Sequence, residues 1–209
     1  MRLLVLAAAL MVTMISPFPI HAQDTPRRIV ALGDSLTAGY GLADGQSFTT
    51  LLAQALNDKD ENVVVDNAGI SGDTTAGGLA RLEDAISGDP KPSLVLVALG
   101  ANDMMRGIDP AQMKENLNAI LQTLKDRNIP ALLIGVRMPG TVSGFYGSRY
   151  DDVYEDLADK FDIRLYESFL DGVAMDPDLN QSDGIHPNLA GTKIMVKRLL
   201  PTVRKALND

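Results

Sequence analysis

A serine hydroxyl becomes a nucleophile when a neutral imidazole can take its proton and an acceptor orients that imidazole and stabilises its cation. This sequence holds all three group types in two short segments. Gly33-Asp34-Ser35-Leu36-Thr37-Ala38-Gly39-Tyr40-Gly41 sets Ser35 directly after a short apolar run. Ser182-Asp183-Gly184-Ile185-His186-Pro187 sets Asp183 three residues before His186, with Gly184 permitting a tight loop and Pro187 stiffening its exit. One segment could thus supply both a base and its orienter. Plainer readings stay open for each alone. A Ser/Thr/Gly loop after a strand could cradle phosphate, although no Gly-Lys-Ser/Thr or Gly-x-Gly-x-x-Gly accompanies it. It could also be an Asp/Ser turn without chemistry, and His186 an exposed surface histidine.

Two further segments carry hydrogen-bond donors of the kind an acyl transfer needs for its developing oxyanion. Gly100-Ala101-Asn102-Asp103 presents an Asn amide, and Asn67-Ala68-Gly69-Ile70-Ser71-Gly72-Asp73-Thr74-Thr75 presents the Gly72 N–H where a helix should open. Taken singly, Asn102 and Gly72 read as turn residues. Asp34 and Asp103 could pair as carboxylates for metal or acid–base work, but a structural role, bonding loop backbone beside Ser35 and Asn102, explains them better.

The elements between these segments alternate. Arg28 to Leu32 reads as a buried first strand, and Gln46 to Asn57 as a helix with Phe48, Leu51, Leu52, Ala55 and Leu56 at helical spacing. Val63 to Val65 is a second strand. Asp73 or Thr74 can cap a helix running to about Ser87, with Leu79, Leu82 and Ile86 on one face. Leu94 to Leu99 is apolar throughout, as a strand buried on both faces should be. Asp109-Pro110 opens a helix carrying Met113, Leu117, Ile120, Leu121 and Leu124. Ala131 to Val136 is a fourth strand, Ser148 or Tyr150 to Phe161 a helix, and Ile163 to Tyr166 a weaker fifth strand. Asn188 caps a last helix ending near Leu200, before Pro201. This pattern predicts a single-domain α/β fold: a flavodoxin-like three-layer α/β/α sandwich on a five-stranded parallel sheet of order 2-1-3-4-5. Ligands of such sheets bind beyond the carboxyl ends of the strands, where the polar motifs fall.

Composition narrows the chemistry. The 209 residues are 45% hydrophobic and 22% charged, with a net charge of −8. That acidity argues against nucleic acid as a partner. Arg2, the uncharged run Leu3 to Ile15, the break at Ser16-Pro17-Phe18-Pro19 and the small residue of Ile20-His21-Ala22 read as a secretory signal peptide over residues 1–22. The chain from 23 to 209 is then the exported domain, in the periplasm or secreted, with no membrane anchor left after cleavage. With no cysteine, export brings no disulfides, and thiol nucleophiles, iron–sulfur clusters and Cys-ligated zinc are excluded. Of two histidines, His21 leaves with the leader, so His186 alone cannot build a His-rich metal site. No metal or cofactor is expected, and a monomer is the default expectation.

Together the four segments resemble the blocks of the SGNH (GDSL) hydrolases: Gly-Asp-Ser-Leu near the start, a mid-chain Gly, Gly-x-Asn-Asp, and Asp-x-x-His near the end, in family order. Gly33 to Gly41 and Asp183-Gly184-Ile185-His186-Pro187 are similar to the bacterial periplasmic thioesterase/lysophospholipase/arylesterase branch. The resemblance implies Ser35 as nucleophile, His186 as base and Asp183 as orienter, with an oxyanion hole from the Ser35 N–H, the Gly72 N–H and the Asn102 side chain. It implies an acyl ester, thioester or lysolipid as substrate. Met104, Ile108, Phe145 and Tyr146 are apolar residues suited to the acyl chain, Met104 and Ile108 following Asn102 and the aromatic pair following the fourth strand. A carbohydrate esterase on the same scaffold is the alternative, disfavoured by the absence of Trp. A non-enzymatic periplasmic binding protein is the third.

Overall fold

The computed structural model describes residues 25–58, 61–137 and 140–209, the last segment with side chains from residue 148 onward. The expected leader, residues 1–22, and the side chains of Phe145 and Tyr146 lie outside the described residues. Five strands, β1 (Arg27–Gly33), β2 (Val63–Gly69), β3 (Leu94–Ala98), β4 (Ala131–Ile134) and β5 (Arg164–Tyr166), pair in parallel in the order β2-β1-β3-β4-β5. The fold class and strand order are those the apolar pattern predicts. Among the described residues eight helices accompany the strands: α1 (Ser35–Ala38), α2 (Phe48–Asn57), α3 (Thr75–Ala80), α4 (Leu82–Ile86), α5 (Ala101–Met105), α6 (Pro110–Asp126), α7 (Gly140–Phe161) and α8 (Leu189–Ala206).

Side chains alternate across a strand, so a sheet covered on both sides must be apolar at every position. Ile29, Ala31, Leu94, Leu96, Leu132 and Ile134 pack with Phe48, Leu52 and Leu56 of α2 and Met195, Leu199 and Val203 of α8. Val30, Leu32, Val95, Val97 and Leu133 pack on the other side with Leu82 and Ile86 of α4, Met113 to Leu124 of α6, and Tyr150 to Phe161 of α7. Two cores thus sandwich one sheet. Register then does the positioning: Gly33 lies opposite both Gly69 and Ala98, so β1, β2 and β3 end level. The loops carrying Ser35, Gly72 and Asn102 all start from that edge.

Several element boundaries depart from the sequence reading: β2 runs four residues further, to Gly69, α2 begins at Phe48, and four other differences bear on packing. The expected helix from residue 74 to Ser87 is two helices, parted at Arg81. The Arg81 guanidinium reaches the sheet edge, where Nη2 donates to Gly33 O (2.9 Å), Nη1 to Ala68 O (2.7 Å) and Nε to Asp73 Oδ2 (2.7 Å). Helix α8 continues through Pro201 to Ala206. An interior Pro costs a helix about 3 kcal/mol, and the buried Val203 and Ala206 beyond it extend the face that offsets this. Helix α7 starts at Gly140, not at Ser148 or Tyr150. Strand β4 stops at Ile134, since Gly135 N–H turns to Tyr166 O and Gly135 O accepts from Phe169 N–H.

Candidate active site

Asp34 caps α1, its Oδ1 accepting from Leu36 N–H (3.0 Å), and this four-residue turn lifts Ser35 above the end of β1. His186 arrives from the far end of the chain. Its loop is held by Gln181, whose N–H donates to His186 O (2.7 Å) and whose Nε2 donates to Tyr40 O (2.7 Å) and Pro187 O (3.0 Å). Gly184 bends that loop at φ +69°, a conformation L side chains rarely adopt. The Tyr40 ring lies against the imidazole, 4.5 Å between centroids.

The result is a linear relay. His186 Nε2 is 2.9 Å from Ser35 Oγ, and His186 Nδ1 is 2.7 Å from Asp183 Oδ2. An ionised carboxylate only accepts, so Nδ1 carries the imidazole proton and Nε2 presents its lone pair to the serine hydroxyl. Asp183 is pulled down to about 2 by the His186 N–H, the His186 ring and the Ile185 N–H, all donating to it. It therefore stays ionised under any working condition of the imidazole.

Of the three predicted oxyanion donors, Ser35 and Asn102 border one cavity, and Gly72 precedes Asp73, whose carbonyl accepts from Asn102 Nδ2. Among the described residues, neither the Ser35 N–H nor the Gly72 N–H has a backbone or side-chain acceptor. Gly72 takes φ +80°, and its carbonyl accepts from Arg106 Nη2 (2.7 Å), which ties its loop to the turn after α5. Asn102 is buried, and its Nδ2 donates to Asp73 O (2.8 Å) while lying 3.3 Å from Asp34 Oδ2. Gly100 makes this approach possible: at φ +122° it has no Cβ where one would come within 2.2 Å of Tyr154 Oη.

Asp34 and Asp103 do not face a shared ligand. Asp103 accepts from Thr75 N–H (2.8 Å) and Thr75 Oγ1 (2.6 Å), fastening α5 to α3. Asp34 is held between Leu36 and Asn102, and burial pushes its carboxyl up to about 6 against the pull of the Leu36 N–H and His186. The same burial, with Asp34 nearby, raises the Tyr154 phenol far above its ordinary range, and it donates to Leu99 O (2.9 Å). Among the described residues no group of three or more His, Asp or Glu side chains could hold a metal ion.

A cavity of about 90 Å³ opens at Ser35, Asn102 and His186, walled by Leu36, Ala101, Met104, Met105, Val136, Leu170, Ala174 and Ile185. Met104 is in this wall. Ile108 is not: its N–H donates to Asp103 O (2.9 Å) and its carbonyl accepts from Tyr150 Oη, which fixes it beside α7. Leu36, Val136, Leu170, Ala174 and Ile185 escaped the sequence reading because they come from three separate segments: the turn after β1, the residues after β4, and the connection between β5 and α8. The one available signal was position, since each follows a strand or flanks a motif. Arg137, held by Glu155 (2.6 Å) and Glu167 (2.8 Å), stands at the junction with a wider open groove of about 720 Å³ that includes Tyr166, Asp171 and Met175.

This geometry suits nucleophilic attack on a carbonyl whose acyl part is apolar. Comparison with known proteins agrees. Residues 31–194 match the GDSL-like lipase/acylhydrolase family. The chain is 35% identical over 207 residues to "Esterase TesA" of Pseudomonas aeruginosa, covering 99% of this chain and 100% of that protein. It is 39% identical over 191 residues to "Thioesterase 1/protease 1/lysophospholipase L1" of Escherichia coli, covering 89% of this chain and 88% of that one. Among solved structures, the SGNH-hydrolase family esterase AlinE4 superimposes with a TM-score of 0.72 at 44% identity, over 87% of this chain and 97% of that one.

Proposed function

The chain belongs to the GDSL-like lipase/acylhydrolase family, and from that premise we propose that it hydrolyses carboxylic esters and thioesters of apolar acyl groups through an acyl-enzyme on Ser35. The observation that carries this reading is the relay from Ser35 Oγ to His186 Nε2 (2.9 Å) and from His186 Nδ1 to Asp183 (2.7 Å), standing at the mouth of an aliphatic cavity. Ser35 Oγ attacks the carbonyl carbon as its proton passes to His186 Nε2. Asp183 stabilises the resulting imidazolium and keeps the ring aligned. The Ser35 N–H, the Gly72 N–H and one Asn102 N–H receive the oxyanion, the last by turning from Asp34, its longer contact. Collapse expels the alcohol or thiol, which takes the proton from His186. Water then repeats the sequence on the acyl-enzyme, releasing the acid and restoring the serine.

Aryl esters, acyl thioesters and lysophospholipids are the substrate class, in keeping with relatives named esterase and thioesterase/lysophospholipase. A glycan esterase fits less well, because the described cavity wall has no aromatic platform for a sugar. Residues 1–22 act as an export leader, and N-terminal sequencing of the secreted form should begin at Gln23. The substrate test is a hydrolysis panel of p-nitrophenyl esters of rising chain length, acyl-CoA, lysophosphatidylcholine and acetylated xylan. Turnover of the first three without acetate release from xylan supports the reading, and faster release from xylan than from any aryl ester overturns it.

A further inference from the structure

Six large apolar side chains stand exposed among the described residues, and their distribution is uneven. Val64 is on the edge strand β2. The other five, Tyr40, Ile70, Met105, Met175 and Ile185, are each more than half exposed and stand at the carboxyl edge of the sheet. Tyr40 lies on the His186 ring, and Met105 and Ile185 wall the cavity at its mouth. Ile70 sits over the end of β1, its N–H donating to Gly33 O. Met175 lines the wider groove that shares Arg137, Leu170 and Ala174 with the cavity. An acyl chain bound in the cavity accounts for Met105 and Ile185. It does not account for Ile70 or Met175, which are outside the cavity wall and face water at 51% and 69% exposure.

We propose that this collar docks the mouth of the site onto a zwitterionic lipid surface, so that an acyl chain passes from the aggregate to Ser35 without crossing water. The proposal rests on the acyl-hydrolase reading above and adds where the substrate is met. Three observations select this occupant. Met105 and Ile185 wall the catalytic cavity and Tyr40 lies on the His186 ring, so whatever covers the collar must itself deliver an acyl chain, which a folded protein partner would block. Its members come from four separate segments, Met175 and Ile185 sharing the connection between β5 and α8, and five side chains fall short of the ~800 Å² per partner of a stable protein interface. The chain's net charge of −8 opposes approach to an anionic surface, leaving a zwitterionic one. Shallow insertion of separate apolar side chains suits the boundary between headgroups and acyl chains.

The test uses residues 23–209, which contain every described element of the fold, carrying Ser35→Ala so that no lipid is consumed. Flotation with ether-linked phosphatidylcholine vesicles reads binding. Ile70→Ser and Met175→Asn remove the two members outside the cavity, Asn being tolerated at the φ of +66° that Met175 adopts. The Ser35→Ala chain should float with phosphatidylcholine and less with phosphatidylglycerol. Each substitution should weaken partitioning about fivefold and the pair about twentyfold. The same two substitutions in the active chain should leave hydrolysis of monomeric p-nitrophenyl acetate unchanged, which verifies folding. Equal partitioning of the double variant, or no flotation of the Ser35→Ala chain, overturns the proposal. So does a concentration-dependent dimer that the two substitutions abolish, since a second copy would then own the collar. Failure to hydrolyse any ester would overturn the acyl-hydrolase reading instead, and flotation by the Ser35→Ala chain is measured independently of it.

Discussion

Replacing Asn102 by Ala separates what its amide does for folding from what it does for the reaction. At rest both Nδ2 hydrogens have acceptors, Asp73 O at 2.8 Å and Asp34 Oδ2 at 3.3 Å, and Asn102 is buried. Truncation leaves a carbonyl and a buried carboxylate each short of a donor. A buried polar group left unsatisfied costs about 1–3 kcal/mol, and Asp34 keeps the Leu36 N–H, so about 2 kcal/mol of stability should be lost. The catalytic loss has a different origin. One oxyanion donor contributes about 2.7–4 kcal/mol to the transition state and little to the ground state, which is 10²–10³ in kcat with KM nearly constant. Urea unfolding reads the first quantity. Saturation kinetics with a p-nitrophenyl ester, run where the variant is fully folded, read the second. If Asn102→Ala raised KM and spared kcat, the amide would be a ground-state contact and its place in the oxyanion hole would be lost.

The other predictions follow from the relay and from Asp34. His186→Ala should abolish nearly all ester turnover, because residues 23–209 hold no second histidine, while Asp183→Ala should retain more, since it orients rather than transfers the proton; equal residual rates in stopped assays would contradict that division. Folding raises the Asp34 carboxyl from 3.8 to about 6, so the native state binds this proton more tightly than the unfolded chain. Its contribution to stability is therefore full below pH 4 and declines as pH rises to 6, by about 3 kcal/mol in all. Asp34→Asn keeps an oxygen for Leu36 N–H and should flatten that decline in urea unfolding between pH 4 and 7; an unchanged slope would show that Asp34 is not its source.

How legible the molecule was depends on the range of the forces involved. Strands β1, β3 and β4 announce themselves because burial on both faces demands unbroken apolar runs, and their order follows from alternation with helices. The caps at Thr74, Asp109 and Asn188 are local hydrogen bonds and can be read where they stand. Ser35, His186 and Asp183 stood out because histidine is scarce and the motifs fall at strand ends. Tertiary forces hid the rest. Nothing near Arg81 foretells that its guanidinium joins β1, β2 and Asp73 and divides a helix. Nothing near Pro201 shows that Val203 and Ala206 will carry α8 past it. Short helices α1 and α5 lack the length for a periodic pattern, although they aim Ser35 and Asn102. The cavity wall was least visible, because Leu36, Val136, Leu170 and Ile185 meet only through the fold. Ile108 stands outside the cavity wall although Met104 and Met105, just before it in sequence, are in it.

The claim on which the rest depends is that Ser35, activated by His186, forms a covalent acyl-enzyme. A fluorophosphonate traps that nucleophile directly, and intact-mass and peptide analysis read where it lands. The account predicts one adduct on wild type, located on Ser35, none on Ser35→Ala, and labelling strongly slowed in His186→Ala. An adduct of equal yield on Ser35→Ala, or one mapped to a different residue of the wild-type chain, would contradict it.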